Sequence, residues 1–347
     1  MLSSLLAGCV DSTTPVSCPT CDALPIGDLR LLVTDGCSLH PSWSPDGSEV
    51  VFDHYPGGAC PWGHAETLHR VPVTGVSEWD VLRSLHIGNP SAPAWSPQGD
   101  WIAFGNYDWE NPTAKGIYII RPDGTDLTQL ANEMGNPVWS PDGEWLVFAG
   151  PEGMYKVRRD GTAKLLFSSP TGGLDDCKDP SWSPDGTHLV YACKTDVYVS
   201  NADGSAVVNL TAHTPLGWVG WPAWSPCGDK ILFNGGPSGG RRSIYVINPD
   251  GSELVNLTQG SHSEEHPTWS PDGQQIAFTD KTAGWLSVMD ATGSNRRIVA
   301  NIFCSPHYGS WSPDGEWIAF SCEYVSVGAQ MPAAIWIYLV RVKPEAP

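Results

Sequence analysis

Seven side chains stand three residues ahead of a recurring tryptophan: His40, Ala92, Asn136, Asp179, Trp221, His266 and Tyr308. Imidazole, carboxylate, phenol and indole form a set that hydrogen-bonds, transfers protons and stacks on rings. Six of the seven precede a Pro (Gly309 is the exception), so the backbone is constant while the side chain varies. This predicts a rigid frame presenting a binding surface built from His40, Asn136, Asp179, Trp221, His266 and Tyr308. Aromatics of the intervening loops, Trp62, Trp109 and Trp218, extend that surface and suit sugar rings, peptides or another subunit equally.

Two matches to catalytic motifs fail on context. Gly236-Pro237-Ser238-Gly239-Gly240 has the spacing of a nucleophile elbow, which needs a strand before the Ser and a helix after it; here a glycine-rich loop surrounds it. His262-Ser263-Glu264-Glu265-His266 has His-x-x-Glu-His spacing, which holds zinc only when both His share a helix face. Pro267 and Trp269 follow at once, so the segment reads as a loop running into a strand. No catalytic residue and no metal ligand is assigned from these motifs.

The elements that position these residues come from repetition. A Trp-Ser-Pro-x-Gly turn recurs at Trp43, Trp95, Trp139, Trp182, Trp224, Trp269 and Trp311, spaced 52, 44, 43, 42, 45 and 42 residues apart. That period fits four short strands. Runs such as Ile102-Ala103-Phe104 and Ile231-Leu232-Phe233 are too brief for helices and are bounded by Gly and Pro. Within each turn the Pro presets φ, the Asp accepts from nearby N–H groups and the Gly takes a positive φ. The last repeat shows three strands, and Gly27 to Gly36 matches Gly251 to Gly260 in character, so the N-terminal segment is expected to supply the fourth. Trp101, Trp145 and Trp317, each six residues after an anchor, are expected to pack between repeats.

These Trp-Ser-Pro-Asp-Gly repeats, with Asn209-Leu210-Thr211 and Asn256-Leu257-Thr258 ending a strand, resemble TolB-like, WD-like β-propeller repeats from about Ile26 to Val342. The resemblance implies an all-β, seven-bladed propeller of four-stranded blades, closed where the N-terminal strand pairs with the last blade. Domain boundaries follow: 1–25 as a signal-like segment and tether, and 26–347 as the propeller. Some seven-bladed relatives are lyases that act on acidic oligosaccharides with a metal held by His residues. His40, His266 and His307 stand where such a cluster is possible.

Composition narrows the partners. With 38 acidic and 19 basic residues the formal net charge is −19, so a phosphate backbone is repelled and no nucleic acid is expected. A lyase on an anionic sugar wants several Lys or Arg at its site, and a chain this poor in both argues against one. Leu6-Ala7-Gly8-Cys9 resembles a lipobox, making Cys9 a candidate for lipidation and that anchor the only expected link to a membrane. Of ten cysteines, register pairs Cys177 with Cys193 and Cys304 with Cys322; Cys37 with Cys60 is a further expected disulfide, and Cys18 with Cys21 reads as a local disulfide in preference to a redox pair or half of a zinc site. Such density points outside the cytoplasm, to the envelope or exterior. Cys227 is left over. The resulting expectation is a non-enzymatic extracytoplasmic scaffold without cofactor, binding a protein partner or copies of itself. The alternatives are a carbohydrate-binding propeller and a metal-dependent oligosaccharide lyase.

Overall fold

The computed structural model describes residues 28–33, 37–55, 67–75, 79–82, 87–108, 111–168, 177–260, 262–301, 305–324 and 334–342. Among them only a 3-10 turn at Pro112–Ala114 is helical, and the remaining elements are strands. Each repeat lays down strands a to d as an antiparallel sheet. In the fourth repeat these are Cys177–Trp182, His188–Cys193, Asp196–Asn201 and Val208–Asn209. The second, third, fifth and sixth repeats form four-stranded sheets in the same order. The first and last repeats share one eight-stranded sheet, in which Cys37 bridges Ile335 and the strand Leu29–Val33 pairs antiparallel with Ala334–Arg341. The architecture is all-β, a series of four-stranded sheets consistent with a propeller.

Turn chemistry sets each a–b hairpin. Ser44 donates its hydroxyl to Asp46 (2.6 Å), the Ser48 N–H donates to the same carboxylate (3.0 Å), and the Gly47 N–H closes the turn on the Ser44 carbonyl (2.9 Å). Gly47 sits at φ 72°, a conformation in which a Cβ would be strained. The equivalent Asp185 carboxyl is held down to about 2, chiefly by the Ser183 hydroxyl and then by the Thr187 N–H.

The core is as periodic as the turns. Nine residues after each anchor lies a buried ring: Phe52, Phe104, Phe148, Tyr191, Phe233, Phe278 and Phe320. Five of these stack on a ring of strand c, for example Phe148 on Tyr155 at 5.3 Å and Phe233 on Tyr245 at 5.3 Å. Burying one such ring stabilises by roughly 1.5–3 kcal/mol. The anchors join neighbours: Trp43, Trp139, Trp182, Trp269 and Trp311 each donate Nε1–H to a strand-a carbonyl of the preceding repeat, at 2.9–3.3 Å. Trp101, Trp145 and Trp317 take cations on their faces, Arg121 at 4.0 Å, Lys156 at 4.5 Å and Arg30 at 4.5 Å.

Cys177 and Cys193 are disulfide-bonded, directly opposite one another on strands a and b. Cys37 and Cys322 are disulfide-bonded as well. Cys60 and Cys304, expected as their partners, and Cys9, Cys18 and Cys21 lie outside the described residues. Replacing both Cys177 and Cys193 by Ser is expected to cost about 3 kcal/mol, as for a bridged loop of this length. The measurement is the urea midpoint, and an unchanged midpoint would show that strand pairing alone holds the loop.

Candidate functional site

In six of the seven repeats the residue three before the anchor lies within strand a. In the first, second and fourth to seventh repeats, strand a slips register at this position. There His40, Ala92, Asp179, Trp221, His266 and Tyr308 take left-handed backbone angles, with φ between 48° and 53°. A bulge turns one side chain out of the pleat, and where the next residue is Pro it has no N–H to offer the ladder. A left-handed non-Gly residue costs on the order of 1–3 kcal/mol, and such positions cluster at ligand sites. Asn136 differs: it precedes the short strand Val138–Trp139, and its amide oxygen accepts from the Tyr107 hydroxyl at 3.1 Å.

The bulges bring the rings together. Trp218 lies 5.4 Å from Trp221, Trp221 4.2 Å from His266, His266 4.9 Å from Tyr308 and Tyr308 4.2 Å from His40, centroid to centroid. His307, on the same strand as Tyr308, joins the arc 5.9 Å from His266. Asp179 meets the arc by accepting the Trp221 N–H at 3.1 Å, and burial raises its carboxyl above the usual range. Trp62 and Trp109 lie outside the described residues.

Groups that composition gave no reason to place here complete the site. Lys178 lies 4.6 Å and Arg242 4.0 Å from the centre of the Trp218 ring. Lys281 Nζ is 3.3 Å from His307 Nδ1. Arg242 also pairs with Glu265 at 2.6 Å, and His307 Nε2 lies 3.5 Å from Glu323. His40 Nδ1 lies 2.9 Å from the buried Asp53 carboxylate, which orients the ring with Nδ1–H as the donor. Burial and then the neighbouring His307 and Lys281 push His266 down to about 3, and its Nδ1 is buried without a partner among the described residues. Burial also lowers His307 to about 4, and it lowers Lys281 and raises Tyr308. At neutral pH the arc therefore offers the neutral imidazoles of His266 and His307 flanked by cations: a surface for a ring-shaped, negatively charged ligand and a set of groups able to move a proton.

The sequence pointed to the arc because its residues share one register. It missed Lys178, Arg242, Lys281 and Asp53, which stand at different offsets from their anchors; the only trace was that Lys178 and Lys281 neighbour the expected Asp179 and a strand end. Metal ligation finds no support in donor geometry. Among the described residues no three His, Cys, Asp or Glu side chains converge to hold an ion.

Residues 172–331 match the family model of the TolB beta propeller domain, a little under half of the chain. The chain is similar over 91% of its length to the structure of a TolB-type protein from Agrobacterium tumefaciens, covering 94% of it at 19% identity with a TM-score of 0.53. Two oligogalacturonate lyases superpose more closely. One, solved in complex with manganese, has a TM-score of 0.67 at 15% identity, covering 92% of this chain and 91% of that one. The other, from Vibrio parahaemolyticus, has 0.68 at 12% identity, covering 91% and 94%. No curated protein matches the sequence. The family match makes residues 172–331 similar to the TolB beta propeller domain, and the structural likenesses speak for the fold. They also correct the expectation of a non-enzymatic protein, since this fold carries lyases. The physical reason offered for that expectation fails too: the chain is poor in Lys and Arg overall, yet Lys178, Arg242 and Lys281 meet at one site.

Proposed function

We propose that the chain is a seven-bladed propeller closed by the strand Leu29–Val33, and that the mouth of its channel binds an acidic oligosaccharide and cleaves it by elimination. The observation that carries this reading is the arc from Trp218 to His40 with Lys178, Arg242 and Lys281 along it. Sugar rings stack on indole and phenol faces, and the cations meet a carboxylate. A uronate carboxylate so neutralised makes the adjacent C–H more acidic. His40 Nε2, oriented by Asp53, is placed to take that proton, and the Tyr308 hydroxyl to return one to the leaving oxygen. The manganese of the lyase structure has no matching donor set among the described residues, so no step is assigned to a metal.

The Cys177–Cys193 bond fits a place outside the cytoplasm. Residues 1–25 would then serve as export segment and tether, with Cys9 as lipid acceptor. A second reading, docking of a protein partner, draws on Leu165, Leu166, Val207 and Val208, which are exposed on the outer strands of the third and fourth repeats or beside them.

Calorimetry with oligogalacturonate and a neutral oligosaccharide of equal length tests the binding, and ultraviolet absorbance of the unsaturated product tests the cleavage. Acidic ligand should bind in preference to neutral. Trp221→Ala should cost more than about 1 kcal/mol of affinity, and Lys281→Ala should erase the preference for acid. Equal binding of the two sugars, or none of either, would overturn the reading.

A further inference from the structure

The sixth repeat departs from the others in its core. In six repeats the buried ring of strand b faces a second ring in register on strand c, a tyrosine or, in the first repeat, His69. In the sixth, Phe278 faces Ser287, which is fully buried. A guanidinium stands in for the missing ring: Arg296, just ahead of strand d (Arg297–Ala300), places its Cζ 4.9 Å from the centre of Phe278.

From there the guanidinium fork reaches two carboxylates, Glu264 Oε1 at 3.0 Å and Asp280 Oδ2 at 2.9 Å, neither with any exposed side-chain surface. Glu264 and Asp280 are register partners on strands a and b, so one cation ties the two strands together. Carboxylates cut off from water stay in place only beside a cation or a donor, and Arg296 serves both. His262 Nδ1 lies 2.6 Å from the same Asp280 oxygen, at the more exposed rim.

Two of the three cations at the mouth hang on the chain that this fork holds. The Glu264 N–H donates to the Arg242 carbonyl at 3.0 Å, and the Arg242 N–H to the Ser263 hydroxyl at 3.4 Å. The Lys281 N–H donates to the Ser263 carbonyl at 2.8 Å. Lys281 also follows Asp280 directly, and the Asp280 carboxylate accepts the Ala283 N–H at 3.0 Å, which shapes the turn on which Lys281 stands.

We infer that Arg296 is a positioning residue for the mouth: by holding Glu264 and Asp280 as one unit it fixes the places of Arg242 and Lys281, and with them the preference for an acidic ligand. The link to ligand preference rests on the proposed function; the placement of Lys281 does not.

His307 is the probe, because Lys281 Nζ lies 3.3 Å from its Nδ1, with Glu323 at 3.5 Å and His266 and His40 the other titratable groups that face it. Burial, then Lys281 and His40, hold this imidazole to about 4. The full-length protein is titrated from pH ~8 downward and the His307 ring followed by NMR. In a neutral set, Arg296→Met with Glu264→Gln and Asp280→Asn, no buried charge is left unpaired and residue 280 keeps an oxygen for the Ala283 N–H. Its His307 midpoint should rise by about one unit or more toward the ordinary ~6.5. The set removes no net positive charge, so a rise reports movement of Lys281. Phe148→Leu, which loosens the third repeat instead, should leave the midpoint where it is. An unmoved midpoint in the folded neutral set, or an equal rise in Phe148→Leu, overturns the inference. Calorimetry reads the ligand: the neutral set should lose several-fold of the preference for oligogalacturonate over a neutral oligosaccharide. A wild type with no such preference overturns the proposed function and leaves the placement of Lys281 to the titration. A raised midpoint with the preference intact overturns the role of Arg296 in selecting an acidic ligand.

Discussion

Deleting residues 1–34 is expected to lower stability by on the order of 5 kcal/mol, whereas deleting 1–24 leaves it unchanged. The strand Leu29–Val33 is the outermost partner of Ala334–Arg341, with Leu29 opposite Val340 and Leu31 opposite Tyr338. Val33 is buried, Leu32 packs against the cluster of Trp43, Phe52 and Ile337, and Leu29 packs against that of Trp311, Phe320 and Val340. Arg30 covers Trp317, and the Asp28 carbonyl accepts the Arg341 N–H at 3.0 Å. Removing the strand exposes these apolar faces and a bare sheet edge, at roughly 1.5–3 kcal/mol per fully buried side chain. Equal melting temperatures for the two truncations would refute closure by this strand.

Acid should destabilise the protein well before its carboxylates titrate. His266 and His307 are held to about 3 and about 4 in the folded state, against an ordinary histidine value near 6.5 when unfolded. The folded state thus resists a proton that the unfolded state accepts. Stability is full above pH ~6.5 and falls as pH drops toward the folded values, by a few kcal/mol in all once partial exposure is discounted. Lys281, Arg242 and His40 face these rings and add to the repulsion; Asp179, whose carboxyl burial raises, works in the opposite sense. Between pH ~6.5 and ~4.5 the double variant His266→Gln, His307→Gln should show a markedly flatter dependence of unfolding free energy on pH. An unaltered slope would mean that neither imidazole is kept neutral by folding. The same window tests the site, because the positive charge gained as the rings become protonated should strengthen binding of an acidic ligand relative to a neutral one.

The strands, the turns and the order in which they pair were legible because each is written locally and repeated. A Ser-Pro-Asp-Gly turn carries its own hydrogen bonds, as Ser44 and Asp46 show, and an aromatic nine residues past each anchor falls on the buried face by strand alternation alone. The Cys177–Cys193 bond followed from the same register, since the two positions face each other on adjacent strands. His40, Trp221, His266 and Tyr308 were found together for that reason, although their bulge and left-handed backbone were not: a residue before Pro, as the first three are, is ordinarily extended, and only the surrounding sheet holds it otherwise.

What the sequence could not determine is which unlike positions meet. Lys178 stands four residues before its anchor, Arg242 eighteen after and Lys281 twelve after, so no alignment of the repeats places them in one set. They come together because strands from separate repeats lean on one another through ring contacts from Trp218 to His40, and the site's charge is a property of that packing. Local chemistry settles what each repeat becomes; the charge at the site depends on distances between repeats, which packing alone decides.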